Sequence, residues 1–499
     1  MTSSLRRIWS TLHLTDKERK EHELTIADLT PTEKVDIPTI VRSKTATTAT
    51  AADPVSNKAS TASDPPEASQ SHPQWSTTLA TSILTLKTFL DTMNTDTIDQ
   101  TSFRRIRALS AITSVPTSFR VSIDKVYVPR RADLILEDMK EEEATGFMKA
   151  EWIEYEPPTS LSFSFSSVLK KKPSHESLIP EKEEAVILYI HGGAYCVASR
   201  KTHRGITWKL AKYANCKVLS IDYRLAPEYV FPLALHDAIS AYAFLTSPPP
   251  ELNLKKCNPK KVVIMGDSAG GGLSLALLLW LRDNGSKHGL EMPGGAGLLS
   301  PWLDLTHSTR SYKTNGKWDY LPDKMRGKLI NESRSHYYVK DNTYLKHPLV
   351  SPLFATEAHQ EKPLCPILIH IGECERLRDE NLVFVSRVFK ESPIQLEMYD
   401  TMVHVFQMFN NFLPLAELAL ERLGMFVQKV TTDGFEGKQF SRTFSRFGCE
   451  DGFAVSDLTK EEINAYLLED DERKDEEQKQ EEKTREVLEV SVDNVVVSQ

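Results

Sequence analysis

The stretch Lys261-Val262-Val263-Ile264-Met265 runs directly into Gly266-Asp267-Ser268-Ala269-Gly270. A serine flanked by small residues, placed between an apolar strand and a helical run, fits a sharp turn that lifts its hydroxyl above a sheet. The helix that starts behind it points its positive end toward any anion formed there. A serine hydroxyl is a poor nucleophile until a base takes its proton, and the base needs an acid to orient it. On such a scaffold the acid and then a histidine follow the serine, each just beyond a late strand. His404 meets the requirement for the base, in Asp400-Thr401-Met402-Val403-His404 after the strand-like Gln395 to Tyr399. The acid lies in Gly372-Glu373-Cys374-Glu375-Arg376-Leu377-Arg378-Asp379-Glu380 after Pro366 to Ile371, where Glu375, Asp379 and Glu380 all stand close together.

Acyl transfer builds negative charge on a carbonyl oxygen, and backbone N–H groups aimed at that oxygen stabilise it, each worth roughly 10²–10³ in rate. His191-Gly192-Gly193-Ala194, beyond the apolar strand Ala185 to Ile190, offers such donors. The expected oxyanion hole comprises Gly192, Gly193, Ala194 and Ala269. Gly192 shapes the turn, and the amides of Gly193, Ala194 and Ala269 donate. His191 is expected to anchor this loop by hydrogen bonding.

Short apolar runs alternate with helical patterns to place these groups. The runs 185–190, 216–221, 261–265 and 366–371 are apolar nearly throughout, as parallel strands buried on both faces must be, and 395–399 follows them. Helical patterns at His203 to Tyr213, Ala234 to Leu245 and Gly270 to Arg282 separate them, which implies an α/β class with a mostly parallel, doubly wound sheet. In such sheets sites gather at the carboxyl ends of strands, where the residues named above fall. Upstream, two helical patterns occupy 77–112, and Arg120 to Val128 and Phe147 to Tyr155 read as strands.

Three parts differ in composition. Residues 1–76 are expected to be largely disordered, because the Ser/Thr/Ala/Pro-rich stretch at about 40–75 cannot bury enough apolar surface to offset its ordering entropy. Residues 77–435 form the catalytic body. Residues 436–499, ending in a mixed-charge acidic run, are expected to be a flexible extension. A surface loop is expected over 159–184, and the aromatic residues of an insertion over 306–347 (Trp318, Tyr320, Leu321, Tyr337 and Tyr338) are expected either to help cover the pocket or to be plain core packing.

Composition narrows the function classes. A net charge of −8 gives no basic surface for nucleic acid. Six scattered cysteines form no CxxC pair, so neither a zinc site nor a disulfide framework is legible, and no cofactor or metal is implied. The longest apolar run, Leu273 to Leu281, is too short to span a bilayer. The opening segment with Arg6, Arg7, Trp9 and Leu12 reads as a frayed terminus rather than a leader, with peripheral membrane contact as the alternative. A reducing, cytoplasmic setting follows.

The residues resemble the hormone-sensitive-lipase-like branch of the α/β-hydrolases. The resemblance spans roughly 180–430. It rests on His191-Gly192-Gly193, Asp222-Tyr223-Arg224-Leu225-Ala226-Pro227-Glu228, Phe231-Pro232, Gly266 to Gly271, Ser300-Pro301-Trp302 and His404. It implies a helical cap formed from about 77–112 and a carboxylesterase acting on short- to medium-chain acyl or lipid esters. Two departures stand out. Ala194 replaces the third glycine of the family's HGGG, and Glu375 falls where the family's acid is an aspartate, which makes Glu375 the acid and Asp379 its rival. Asp222, Glu228 and Asp237 are expected to make structural pairings. A catalytically silent ligand-binding protein on the same fold is the alternative from another class.

Overall fold

The computed structural model describes residues 71–93, 103–104, 106–107, 117–157, 184–322, 336–355, 363–389, 392–432, 443–448 and 455–467. Most of 1–76, the loop expected at 159–184 and the acidic run beyond 467 lie outside the described residues.

A ten-stranded sheet organises the chain, in the order β1-β2-β4-β3-β5-β6-β7-β8-β9-β10. The strands are β1 (Val121–Pro129), β2 (Phe147–Tyr155), β3 (Val186–Ile190), β4 (Lys217–Asp222), β5 (Val262–Asp267), β6 (Gly295–Leu299), β7 (Ile367–Gly372), β8 (Ile394–Tyr399), β9 (Thr443–Phe447) and β10 (Val455–Asp457). From β4 to β9 every neighbouring pair is parallel, and the outer pairs β1–β2, β2–β4 and β9–β10 are antiparallel. The helices are α1 (Thr77–Met93), α2 (Arg204–Ala214), α3 (Leu233–Thr246), α4 (Ser268–Asn284), a single turn α5 (Ser311–Thr314), α6 (Arg378–Val383), α7 (Pro414–Thr431) and α8 (Lys460–Leu467).

Side chains on successive residues of β3 point to opposite faces. Ile187 and Tyr189 join Val218, Val263 and Met265 in the layer covered by α2 and α7, while Val186, Leu188 and Ile190 join the larger layer under α3 and α4. Both layers are closed, which is why these strands read as continuous apolar runs. The expected fold class is the one observed.

Two parts of the sheet were not expected. Strand β6 has the sequence GAGLL, without the β-branched signature. Its glycines let α7 lie close: a Cβ on Gly297 would meet Leu423 Cδ2 at 2.9 Å and Met265 Cε at 2.8 Å. Strands β9 and β10 and helix α8 lie within the stretch expected as an extension. Phe444 and Phe447 pack on the main core, and β9 covers the edge that β8 would otherwise expose.

Helix α1 buries Leu79 and Ile83 in the same core, preceded by Trp75, whose indole donates to the Thr401 carbonyl at 2.7 Å. Lys87 reaches the Gly316 carbonyl at 2.7 Å. Arg107 donates to the Cys196 carbonyl at 2.7 Å and pairs with Glu228 at 3.0 Å. Residues 94–102, 105 and 108–112 of the cap expected over 77–112 lie outside the described residues. No helix among the described residues is long and apolar enough to cross a membrane.

Candidate active site

The apolar strand β5 ends at Asp267, and α4 begins at the next residue. Ser268 occupies that junction with φ +52°, a left-handed conformation that L-residues adopt at a cost. The turn is tight because two glycines give it room. A Cβ on Gly270 would collide with the carbonyl oxygens of Ile190 and His191, and one on Gly266 would collide with that of Gly270. The sharp reversal leaves the Ser268 hydroxyl 2.9 Å from His404 Nε2.

His404 comes from the loop after β8, 136 residues away in sequence. Its backbone N–H points at Asp319 Oδ1 at 3.4 Å, and the next amide, Val405, donates to Ser300 Oγ at 3.0 Å. The same Ser300 hydroxyl donates to Glu375 Oε2 at 2.6 Å. Ser300, just past β6, thus ties the loop carrying Glu375 to the loop carrying His404. Glu375 Oε2 lies 3.9 Å from His404 Nδ1, close enough for charge interaction but too far for a hydrogen bond. Both residues are buried. Burial drives each toward its neutral form: the Glu375 carboxyl is pushed up to about 8 and the His404 imidazole down to about 3.

The other two acids of this stretch turn elsewhere. Asp379 accepts from the Ser311 amide at 2.8 Å and pairs with Arg378 at 2.8 Å. Glu380 accepts from the amides of Leu303 and Asp304 at 2.6 and 3.2 Å, and burial carries its pKa well up. Among the three, only Glu375 faces the imidazole.

The loop after β3 lies beside Ser268. Gly192 has no room for a side chain, since a Cβ would come within 3.0 Å of Ser268 Cβ and 2.8 Å of the Asp267 carbonyl. Its amide donates to Asp267 Oδ1 at 3.0 Å, so it serves the turn. Gly193 has φ +111°, and a Cβ there would meet the Val197 carbonyl. Ala194 takes φ +52°, a conformation that alanine tolerates with some strain. The amides of Gly193 and Ala194 enter none of the backbone hydrogen bonds found among the described turns and loops. Ala269 is the second residue of α4, in the first turn, where the N–H groups have no partner within the helix. His191 Nδ1 sits 2.7 Å from the Gly192 carbonyl, and its ring stacks on Tyr223. Burial takes its pKa down to about 4, which suits an anchor more than a proton carrier.

Two groups escaped the sequence reading. Asp267 is a hub beneath the loop, accepting from Tyr189 Oη at 2.7 Å and contacting His203 Nε2 at 3.1 Å as well as the Gly192 amide. Burial opposes its charge, but the neighbouring His203 and the Tyr189 hydroxyl hold its pKa below the ordinary value. A charged residue ending a fully apolar strand is the signal that could have revealed it. Asp319, in the insertion, accepts from the amides of Arg376 at 2.7 Å, Tyr320 at 2.8 Å and His404. Burial nevertheless raises its pKa to about 6. The insertion's aromatic residues divide: Trp318 packs against His72 and Trp75, and Tyr337 against Phe103. Tyr320 packs beside the His404 ring at 5.9 Å, and Tyr338 stacks on Tyr195 at 3.7 Å. Residues 323–335 lie outside the described residues. Asp222 pairs with Arg200, Glu228 with Arg107, and Asp237 with Arg130 and Arg224. No group of His, Cys, Asp and Glu among the described residues could hold a metal ion.

A serine on a strained turn, a buried imidazole at hydrogen-bond distance, a carboxyl behind it and backbone amides left free of loop hydrogen bonds beside it are the parts that nucleophilic acyl transfer requires. Comparison with known proteins points the same way. Residues 187–408 match the model of a family described as α/β-hydrolase fold. An acetyl-hydrolase of Streptomyces hygroscopicus is 33% identical over 252 residues, 50% of this chain and 77% of the relative. An esterase of Acinetobacter venetianus is 32% identical over 249 residues, 50% of this chain and 76% of the relative. The solved structure of an esterase from the bacterial hormone-sensitive lipase family superposes with a TM-score of 0.50 at 27% identity, covering 70% of this chain and 98% of that one. The chain belongs to the α/β-hydrolase fold family, in the hormone-sensitive-lipase-like branch.

Proposed function

We propose that this carboxylesterase-like hydrolase cleaves carboxylic esters of short- to medium-chain acyl groups or lipids through a Ser268–His404–Glu375 triad and an acyl-enzyme. The observation that carries the reading is the 2.9 Å contact between Ser268 Oγ and His404 Nε2 at a left-handed strand-to-helix turn. His404 takes the serine proton as Oγ attacks the ester carbonyl. The developing oxyanion turns toward the amides of Gly193, Ala194 and Ala269, with Gly192 holding the turn. The imidazolium faces Glu375, and closing the 3.9 Å gap would bring its Nδ1–H within hydrogen-bond distance of the carboxyl as the positive charge forms. His404 then returns its proton to the departing alcohol. Water repeats the sequence and releases the acid.

A ligand-binding protein on the same fold is the second reading. It draws on one observation, the absence of a hydrogen bond between Glu375 and His404. Catalytic hydrogen bonds are often long before substrate arrives, so the first reading is preferred. Cys216, Cys257, Cys365 and Cys374 are free thiols, in keeping with a reducing, cytoplasmic setting.

Hydrolysis of a p-nitrophenyl ester series from acetate to palmitate, by the full chain beside Ser268→Ala, tests the assignment. The expected result is turnover that vanishes in the variant, with a chain-length optimum at or below the medium range. An optimum at palmitate would move the substrate class to long-chain lipid esters. A folded wild type that neither turns over nor reacts with a fluorophosphonate would leave the binding-protein reading standing.

A further inference from the structure

The match to the family model ends at residue 408, yet the described chain continues through α7 and returns as β9, β10 and α8. This C-terminal element lies against the two loops that carry Glu375 and His404. The backbone joins first: the Asp400 amide donates to the Phe447 carbonyl at 3.1 Å, and Phe447 stacks on Tyr399 with ring centroids 4.9 Å apart. Charged groups then meet across the gap. Arg446 Nε lies 3.1 Å from Asp400 Oδ1 and Arg446 Nη1 lies 3.6 Å from Glu462 Oε1 on α8. Arg446 also donates to the Tyr466 hydroxyl, which points its own proton at Glu373 Oε1, 3.4 Å away.

Glu373 connects both loops. It stands two residues before Glu375, and its Oε2 accepts the Thr401 amide at 2.9 Å, three residues before His404. On the other side of Tyr466, the Arg378 guanidinium lies 4.5 Å from the ring centroid and donates to the Glu373 carbonyl at 3.1 Å. Arg446 and Tyr466 therefore hold Asp400 and Glu373 from one direction. Without the arginine, the two carboxylates would repel each other across the space that the acid and base loops share.

We infer that residues 443–467 form a brace for the catalytic loops, with Arg446 and Tyr466 as positioning residues that set the spacing between Glu375 and His404. The inference rests on the Ser268–His404–Glu375 reading. Neither residue touches the reacting atoms. Their effect passes through Asp400, Glu373 and the two loops, so it belongs in kcat and leaves substrate affinity alone. A displacement on the order of 1 Å at a catalytic group is enough to cost roughly 10²-fold in rate, so a partial loosening is readable.

The test uses Tyr466→Phe, Arg446→Met and Arg446→Lys in the full chain, with p-nitrophenyl butyrate as substrate. Active sites are counted by exhaustive fluorophosphonate labelling, so that kcat is expressed per competent site. The expected result is a fall in kcat per site of about 10-fold for Arg446→Met and about 3-fold for Tyr466→Phe, with KM within about 2-fold of wild type. Arg446→Lys, which keeps the charge, recovers part of the loss. The brace is overturned if kcat per site stays at the wild-type value in both Arg446→Met and Tyr466→Phe. It is equally overturned if the variants only lower the number of labelled sites, since that is what a purely structural role would do. A wild type that neither turns over nor labels would bring down the triad reading itself, and the brace with it.

Discussion

The two sides of the site are built in different ways. On the nucleophile side, the constraints are local and mutually fitted. Gly266 and Gly270 let the turn press against the end of β3, Ser268 is held at φ +52°, and Asp267 ties the turn to the Gly192 amide at 3.0 Å. On the acid–base side, the parts come from four separate segments. Ser300 follows β6, Asp319 sits in the insertion, Glu375 follows β7 and His404 follows β8, and the decisive contact, Glu375 to His404, is still open at 3.9 Å. The contrast teaches that backbone sterics fix the proposed nucleophile in advance, whereas the proposed acid and base depend on polar contacts gathered over long sequence distances. The first should tolerate almost no change in residue size, and the second should be tunable.

The comparison breaks most visibly at the point where its two sides meet. Ser268→Ala and His404→Ala are each expected to lower kcat for a p-nitrophenyl ester by about 10⁴-fold or more, and the double variant should lose little beyond either single one. Strict additivity in kcat would mean that the 2.9 Å contact does not operate as a unit.

A smaller effect separates the acids. Glu375→Gln keeps the shape of the side chain but removes the charge that faces the imidazolium, and kcat should fall by about 10³-fold. Asp379→Asn should leave kcat within about 3-fold, because Asp379 is spent on the Ser311 amide and Arg378 rather than on the imidazole. Steady-state kinetics on both variants decides the matter. A reversal of the two losses would hand the acid's role to Asp379.

How much of this could be read from the chain follows the same division. The turn at Ser268 was legible because strand, small residues and helix are contiguous. His404 was legible because it stands alone in an apolar context after a strand. Glu375 could be placed only by aligning a short pattern with a family whose usual acid is different. Asp319 was invisible, since two of its three amide partners lie 57 and 85 residues further along the chain and nothing near it in sequence marks it. Asp267 drew no reading of its own within the serine motif, although it is the residue that links β5 to the loop after β3. In the fold, β6 was hidden because its glycines serve the close approach of α7, and β9 because a mixed sequence at the sheet edge carries little period-2 pattern. Periodicity reports burial of side chains, and these strands are specified by what packs on them.

The smallest predicted effect tests whether the acid–base side carries a charge penalty that the nucleophile side lacks. Asp319 is fully buried, and burial raises its pKa to about 6 despite three backbone N–H groups directed at it. Its ordinary value is 3.8, so between pH 4 and 6 the folded protein keeps a proton that the unfolded chain releases. Folding stability therefore falls as pH rises through that window, and the loss stays constant above it. Asp319→Asn removes the ionisation and with it that part of the slope. The variant should compare least favourably with wild type at pH 4 and gain relative to it up to pH 7, by at most about 3 kcal/mol, with Asn's poorer acceptor capacity contributing a pH-independent offset. Urea unfolding of both proteins at pH 4, 5, 6 and 7 measures this difference directly. A difference that does not change with pH would mean that Asp319 ionises in the fold as easily as in the unfolded chain. A difference of opposite slope would mean that the converging amides outweigh burial and that the carboxylate stabilises the His404 loop as a charge.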